Sequence, residues 1–298
     1  NIKKMIDNGG VLISDKYDNI IYSYNADTKF IPASIIKILT SYFALKILGV
    51  DFCFYTDIYF DEKTTDLFVR GYGDPFFVSE RMAELANEIS KKYKKINNIY
   101  VDDSFFDDAI NIPGVSATLN PYDTQNGALT VNFNTVAVKY ENGEYFSNEQ
   151  QTPMTEFIKK YLNSINFKGN ERINIGKNRD YPELYFGELL KEFLKQNNIE
   201  INGTVSKKNI PGNLKNYFRF YSSETLESLI QKLNKYSNNF MINQIFLYIG
   251  ALKTQAPANL SKSVIVFKEI FKNDRILNDI ETEEASGLSR QNKISCAQ

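Results

Sequence analysis

Two short runs near the start of the chain, "GVLISD" (10–15) and "NIIYSYN" (19–25), are rich in β-branched and aromatic residues and flank the turn-forming "DKYD". That pattern predicts a β-hairpin. The next stretch, "SIIKILTSYFALKILG" (34–49), carries apolar residues at helical spacing and ends on Gly49, where a helix stop belongs. Pro32 holds the residue before it extended, so the helix is predicted to begin close to Ser34, with Ile35 and Ile36 turned into the core.

After Gly49 the texture changes. "FYTDIYF" and "DLFVRG" read as strands, "RGYGDPFF" as a tight turn, "SERMAELANEISKKYKK" as an amphipathic helix and "NIYVDDSFF" as a strand. In "ALTVNFNTVAVKYENGEYF" (128–146) a second hairpin is predicted, turning at Asn142-Gly143. Helices follow over about 154–164 and 183–197. From about 222, "SSETLESLIQKLNKYSNNFMINQIFLYIGALK" reads as two helices interrupted near "YSNN", and "KSVIVFKEIFK" as another. Strands and helices are interspersed without an internal repeat, which predicts a mixed α/β protein.

Composition narrows the chemistry. The 298 residues suffice for a sizeable core, and 43% apolar with 24% charged residues is ordinary globular usage. With 35 basic and 36 acidic residues, no net field points to nucleic acid or an anionic membrane, and "KKYKK" (91–95) continues a helix as a solvated face. No apolar run is long enough to span a bilayer. The opening "NIKKMIDNGG" does not read as a secretory leader, an absence that a leader already removed would also produce. Cys53 and Cys296 form no metal-binding or redox spacing.

The sharpest constraint is the absence of histidine. It removes Ser-His-Asp and Cys-His arrangements and histidine-based zinc sites. A nucleophilic serine here must be activated otherwise. Lysine is the main remaining base, since desolvation lowers its pKa toward neutrality.

Ser34 and Lys37 supply that pair at positions i and i+3, on one face of a helix with Cβ atoms about 5–6 Å apart. The helix N-terminus favours developing negative charge beside the hydroxyl. Taken alone, Ser34 reads first as a helix cap followed by a surface lysine, because serine is a preferred cap. The second element is "KYSNNFMINQ", with Ser237 and Asn239 at a helix junction: a hydroxyl for proton relay and an amide for gripping substrate, or simply turn residues.

Together the two elements have a known context, since Ser-x-x-Lys with a Ser-x-Asn motif and Lys-Thr-Gly marks β-lactamases and penicillin-binding proteins. The segments "FIPASIIKILT", "YGDPFF", "VDDSFF", "ALTVNFNTVAV", "KYSNNFMINQ" and "EASGLSRQN", in that order, run almost end to end. On them the chain resembles the D-alanyl-D-alanine carboxypeptidase/endopeptidase branch of low-molecular-mass penicillin-binding proteins, class C. The resemblance implies a penicillin-recognising α/β domain, serine β-lactamase-like, over residues 1–52 and 216–298, with a mixed α/β domain inserted over 53–215. It implies a serine peptidase acting outside the cytoplasmic membrane on peptidoglycan stem peptides, acylated by β-lactams and needing no cofactor or metal. Ser34 would be the nucleophile and Lys37 its base, Ser237 the proton relay and Asn239 a substrate-binding amide. Half the oxyanion hole would come from the Ser34 N–H. Asp102 and Arg290 would read the ammonium and carboxylate of the stem peptide's diamino acid, or else be a turn residue and a surface arginine. Asp74 is expected to serve a turn.

One departure stands out. No Lys-Thr-Gly occurs, and Lys253-Thr254-Gln255 follows Ser237 too closely, at a helix end, to replace it. The expectation is therefore an incomplete chain of weak activity. The alternatives are a catalytically silent relative that binds cell-wall peptide, or a β-lactamase, which the long insertion disfavours.

Overall fold

The computed structural model describes residues 5–298 apart from 109, 177, 179 and 276. Strands β1 (Val11–Ser14) and β2 (Ile20–Tyr24) form the first hairpin, in antiparallel register from Val11 opposite Tyr24. Its turn is built by Asp15, whose carboxylate accepts the N–H groups of Tyr17 and Asn19 at 2.8 and 3.0 Å and the Asn19 amide at 2.8 Å. This is the local bonding that makes aspartate a turn residue.

Ser34 lies in a 3-10 turn, Ala33–Ile35, and helix α1 (Ile36–Leu48) follows directly. Gly49 closes α1 at φ 82°, its N–H bonded to the Leu45 carbonyl. Ile36 is fully buried, but Ile35 is 65% exposed, against the expectation that both face inward. Consecutive helical residues point about 100° apart, and here the inward arc takes Ile36 and Lys37 and leaves Ile35 outside it.

A five-stranded mixed sheet in the order β11-β6-β4-β3-β12 is the largest. Its central pair is β3 (Cys53–Asp61) and β4 (Asp66–Gly71), antiparallel. Strand β6 (Ile99–Asp102) lies parallel to β4, β11 (Val205–Lys207) parallel to β6, and β12 (Asn216–Thr225) antiparallel to β3. Thus β12 belongs to this sheet although it follows residue 215. Two-residue strands β5 (Lys95–Ile96) and β10 (Glu200–Ile201) pair beside it. Helices α2 (Ser79–Lys92), α3 (Glu156–Ser164) and α4 (Tyr181–Gln196) share a core with it, in which Met82, Leu85 and Ile89 of α2 and Phe186, Leu189 and Leu190 of α4 meet Ile58, Leu67, Val69 and Val101.

The second predicted hairpin is half right. Strands β7 (Thr135–Glu141) and β8 (Glu144–Ser147) turn at Asn142 (φ 53°) and Gly143 (φ 87°), and β9 (Asn170–Asn174) pairs on the other edge of β7. Residues 128–134, read as strand, are not. Asn132, Phe133 and Asn134 take left-handed φ of 51°, 57° and 53°. The asparagines offset that cost with side-chain bonds: Asn132 exchanges hydrogen bonds with Ser79, and Asn134 donates to the Gln125 carbonyl at 2.7 Å.

A second core joins α1 to α5 (Leu226–Tyr236), α6 (Asn239–Thr254) and α7 (Leu260–Phe271). Phe43 of α1 meets Phe246 and Phe267 edge-on, with ring centroids 5.7 and 5.1 Å apart. Every residue of α6 from Phe240 to Ala251 is buried, the polar Asn243 and Gln244 included. Among the described residues no helix is long and apolar enough to cross a membrane, and Cys53 and Cys296 are both free thiols.

Candidate active site

The site forms where three segments converge on one amine. Lys37 sits in the first turn of α1 with only 1% of its surface exposed. Its Nζ lies 2.9 Å from Ser34 Oγ, 3.3 Å from Ser237 Oγ, 2.7 Å from Asn239 Oδ1 and 2.8 Å from the Ser286 carbonyl. Ser34 itself is exposed, and so is Ser237. A buried base thus sits behind two accessible hydroxyls. Ser34 makes no capping hydrogen bond, so the helix-cap reading of this serine does not describe the structure.

Each segment is shaped by its own sequence. Ala33, just before the nucleophile candidate, has φ 47°, and Ser237, ending α5, has φ 51°. Such non-glycine left-handed residues cost on the order of 1–3 kcal/mol and persist only where surroundings enforce them. In Ser237-Asn238-Asn239 the middle residue caps α6, its side chain accepting the Met241 N–H at 2.9 Å. The two outer residues are left free to face Lys37. Asn234 ties α5 to α1 through Ser41 Oγ at 3.0 Å. Asn126 and Gln244 brace the start of α6, with Asn126 donating to the Phe240 carbonyl and to Gln244 Oε1 at 3.1 and 2.9 Å.

Burial pushes the Lys37 amine down to about 8, and the Glu284 carboxylate opposes that fall. A free amine has two hydrogens and one lone pair. Asn239 Oδ1 and the Ser286 carbonyl only accept, so they take the two hydrogens. The lone pair is then left facing the hydroxyls of Ser34 and Ser237. This geometry can withdraw a proton from Ser34 and pass it to Ser237.

Of the six site residues drawn from the sequence, Ser34, Lys37, Ser237 and Asn239 come together. Asp102 lies at the end of β6, buried. Its carboxylate accepts the N–H groups of Ser104 and Ile210 at 2.9 and 3.0 Å and stands 3.8 Å from Arg70 Nε. None of those partners touches Lys37. Arg290 is exposed, in the same loop as Ser286. Asp74 accepts the Phe76 N–H at 2.9 Å in a tight turn, and burial pushes its carboxyl up to about 6. Lys253 is exposed near the far end of α6, roughly 20 Å along the helix from Asn239 at 1.5 Å per residue. Sequence reasoning missed the Ser286 carbonyl and the Glu284 carboxylate. The "EASGLSRQN" segment stands out in the sequence for the family resemblance and for its arginine, not for these two groups.

The profile of the D-Ala-D-Ala carboxypeptidase 3 (S13) family matches residues 4–298. A D-alanyl-D-alanine carboxypeptidase of Actinomadura sp. (strain R39) is 22% identical over 339 residues, covering 96% of this chain and 62% of that protein. D-alanyl-D-alanine carboxypeptidase DacB of Haemophilus influenzae is 24% identical over 321 residues, covering 93% and 66%. The chain thus spans a little under two thirds of the length of these relatives. The crystal structure of penicillin-binding protein 4 (DacB) from H. influenzae superposes with a TM-score of 0.77 at 22% identity, over 97% of this chain and 72% of that one. The same protein complexed with a β-lactam gives 0.69 at 19% identity, with the same coverages. These structures share the fold.

Proposed function

The chain belongs to the D-Ala-D-Ala carboxypeptidase 3 (S13) family, and from that premise we propose that it is a serine-type D-Ala-D-Ala carboxypeptidase or endopeptidase acting on peptidoglycan stem peptides outside the cytoplasmic membrane. The observation that carries the proposal is the 2.9 Å approach of the buried Lys37 amine to the exposed Ser34 hydroxyl, beside Ser237 and Asn239.

In this reading the free amine of Lys37 accepts the Ser34 proton as Oγ bonds to the carbonyl carbon of the penultimate D-alanine. The carbonyl electron pair moves onto oxygen, beside the Ser34 N–H at the helix N-terminus. On collapse the C–N bond breaks, and the proton passes from Lys37 through Ser237 to the leaving nitrogen. Water then repeats the sequence, releasing the acid and restoring Ser34. With its oxygen on Lys37, Asn239 keeps its NH₂ for a substrate carbonyl. A β-lactam follows the same course to an acyl ester, its ring C–N bond breaking instead. Arg290 and Asp102 are proposed readers of the diamino acid. Arg290 has the exposure this requires, while Asp102 would have to act from a carboxylate already held by two N–H groups.

The test is labelling with a fluorescent penicillin, followed by intact mass and peptide mapping. One adduct per chain on Ser34, absent from Ser34→Ala, is expected. Affinity for stem peptide without an adduct would overturn the hydrolase in favour of a binding protein, and rapid release of the adduct would favour a β-lactamase.

A further inference from the structure

Glu284 is a fully buried carboxylate whose two oxygens meet only donors. Oε1 accepts from the N–H of Gly287 at 2.6 Å, the N–H of Ser289 at 3.2 Å and the Asn292 amide at 2.7 Å. Oε2 accepts from the N–H and the hydroxyl of Ser286, at 2.7 and 2.6 Å, and from the Asn243 amide at 3.2 Å. Six donors on one side chain are what an ionised, acceptor-only carboxylate satisfies. They wrap residues 284–289 into a tight loop around it.

That loop lies along one face of α1 and the turn before it. The Ala285 carbonyl accepts from Thr40 Oγ1 at 2.9 Å, and the Ser286 carbonyl from Lys37 Nζ at 2.8 Å. Gly287 presses on Ala33: at its φ of 87° a Cβ would stand 1.9 Å from the Ala33 carbonyl oxygen. Positions 33, 37 and 40 recur at i, i+4 and i+7, the spacing of one helix face. The loop therefore touches the residue before Ser34, the amine itself and the next turn.

We propose that Glu284 is a positioning residue for Lys37: its buried carboxylate folds the 284–289 loop so that the Ser286 carbonyl claims one hydrogen of the amine and turns the lone pair toward Ser34. The proposal rests on the reading of Ser34 and Lys37 as nucleophile and base. Several groups face the amine: Ser34 from its own turn, Ser237 and Asn239 from the α5–α6 junction, and Ser286 and Glu284 from the loop. Among the described ones only Glu284 is charged. Its charge favours the ammonium, so its removal makes Lys37 easier to deprotonate.

The experiment compares the full chain with Glu284→Gln and Glu284→Asp. The Lys37 titration is followed by the ¹³Cε shift of labelled lysine, assigned through its absence in Lys37→Arg. The penicillin acylation rate is followed across pH. In Glu284→Gln the Lys37 midpoint is expected to fall by about half a unit or more, and the acylation plateau at high pH to fall about tenfold. A plateau loss without movement of the midpoint means a merely structural role and overturns the proposal, as does a plateau within about twofold of the parent. Should Glu284→Gln give no cooperative melt, Glu284→Asp decides. It draws the charge back from the loop and the amine, so a lowered plateau with a moved midpoint upholds the proposal, and an unchanged plateau, or a lowered one at an unmoved midpoint, overturns it. If the parent chain forms no adduct, the reading of Ser34 fails, and the midpoint in Glu284→Gln alone decides the role of Glu284.

Discussion

Two lysines of this molecule meet opposite electrostatic fates. Lys37 is surrounded by neutral oxygens, and burial carries its amine down to about 8 against the opposition of Glu284. Lys207, at the end of β11, sits among four carboxylates: Glu183 at 2.9 Å, Asp108 at 3.1 Å, Asp103 at 3.2 Å and Asp180 at 3.5 Å. Burial works to lower this amine too, but Glu183 and Asp103 outweigh it and hold Lys207 above the ordinary lysine range. Desolvation is common to both sites. What differs is whether the first neighbours are dipoles or charges, and in the proposed reading that difference separates a base from a counter-ion.

The strongest way to break the comparison is to fix the charge at each position. Arginine stays protonated throughout the accessible range. Lys37→Arg is therefore expected to lower the rate of penicillin acylation by about 10²–10⁴-fold, the usual worth of a positioned general base. Lys207→Arg keeps its anionic partners and is expected to stay within about twofold. Equal losses in the two variants would mean that Lys37 acts as a cation, like Lys207.

A smaller effect sharpens the same point without mutation. With the Lys37 amine lowered to about 8, the free-base fraction at neutral pH is raised above that of an ordinary lysine, and catalysis is lost as pH falls through 8. The acylation rate should climb roughly fifty-fold between pH 6 and pH 8 and level off above about pH 9. A rate still climbing at pH 10 would place Lys37 in the ordinary lysine range.

How much of this was legible in the sequence depends on how local each signal is. Asn142-Gly143 marked its turn because two residues suffice to specify it. Ser34 and Lys37 were legible because i and i+3 share a helix face wherever the helix goes. Ser237 and Asn239 needed the company of the other motifs, since serine and asparagine at a helix junction are ordinary. Residues 128–134 were misread because apolar alternation cannot reveal that Asn132 and Asn134 trade the β-region for side-chain bonds. Strand β12 was missed because its partner β3 lies about 160 residues earlier, and pairing at that distance leaves no local mark. Glu284 was invisible for a related reason. A glutamate in a Ser/Gly-rich loop is by default solvated, and nothing short of the fold shows six donors converging on it.

The smallest predicted effect probes the carboxylates rather than the amine. Four acids around Lys207 are more than one cation can neutralise. Burial first, and Asp103 next, push the Glu183 carboxyl up to about 8. In the unfolded chain the same group ionises near its ordinary value, so between about pH 4.5 and 8 the folded state holds the extra proton. Stability is then complete below that window and declines as pH rises through it. Glu183→Gln removes the titrating group while leaving Asp103, Asp108 and Asp180 on Lys207. Chemical denaturation should give a flatter stability curve between pH 5 and 8, and at pH 9 a variant more stable than the parent. Destabilisation by a constant amount at every pH would instead mean an ordinary ionised partner of Lys207. The two lysine sites would then differ only in the number of charges around them, and no proton would be stored in the second.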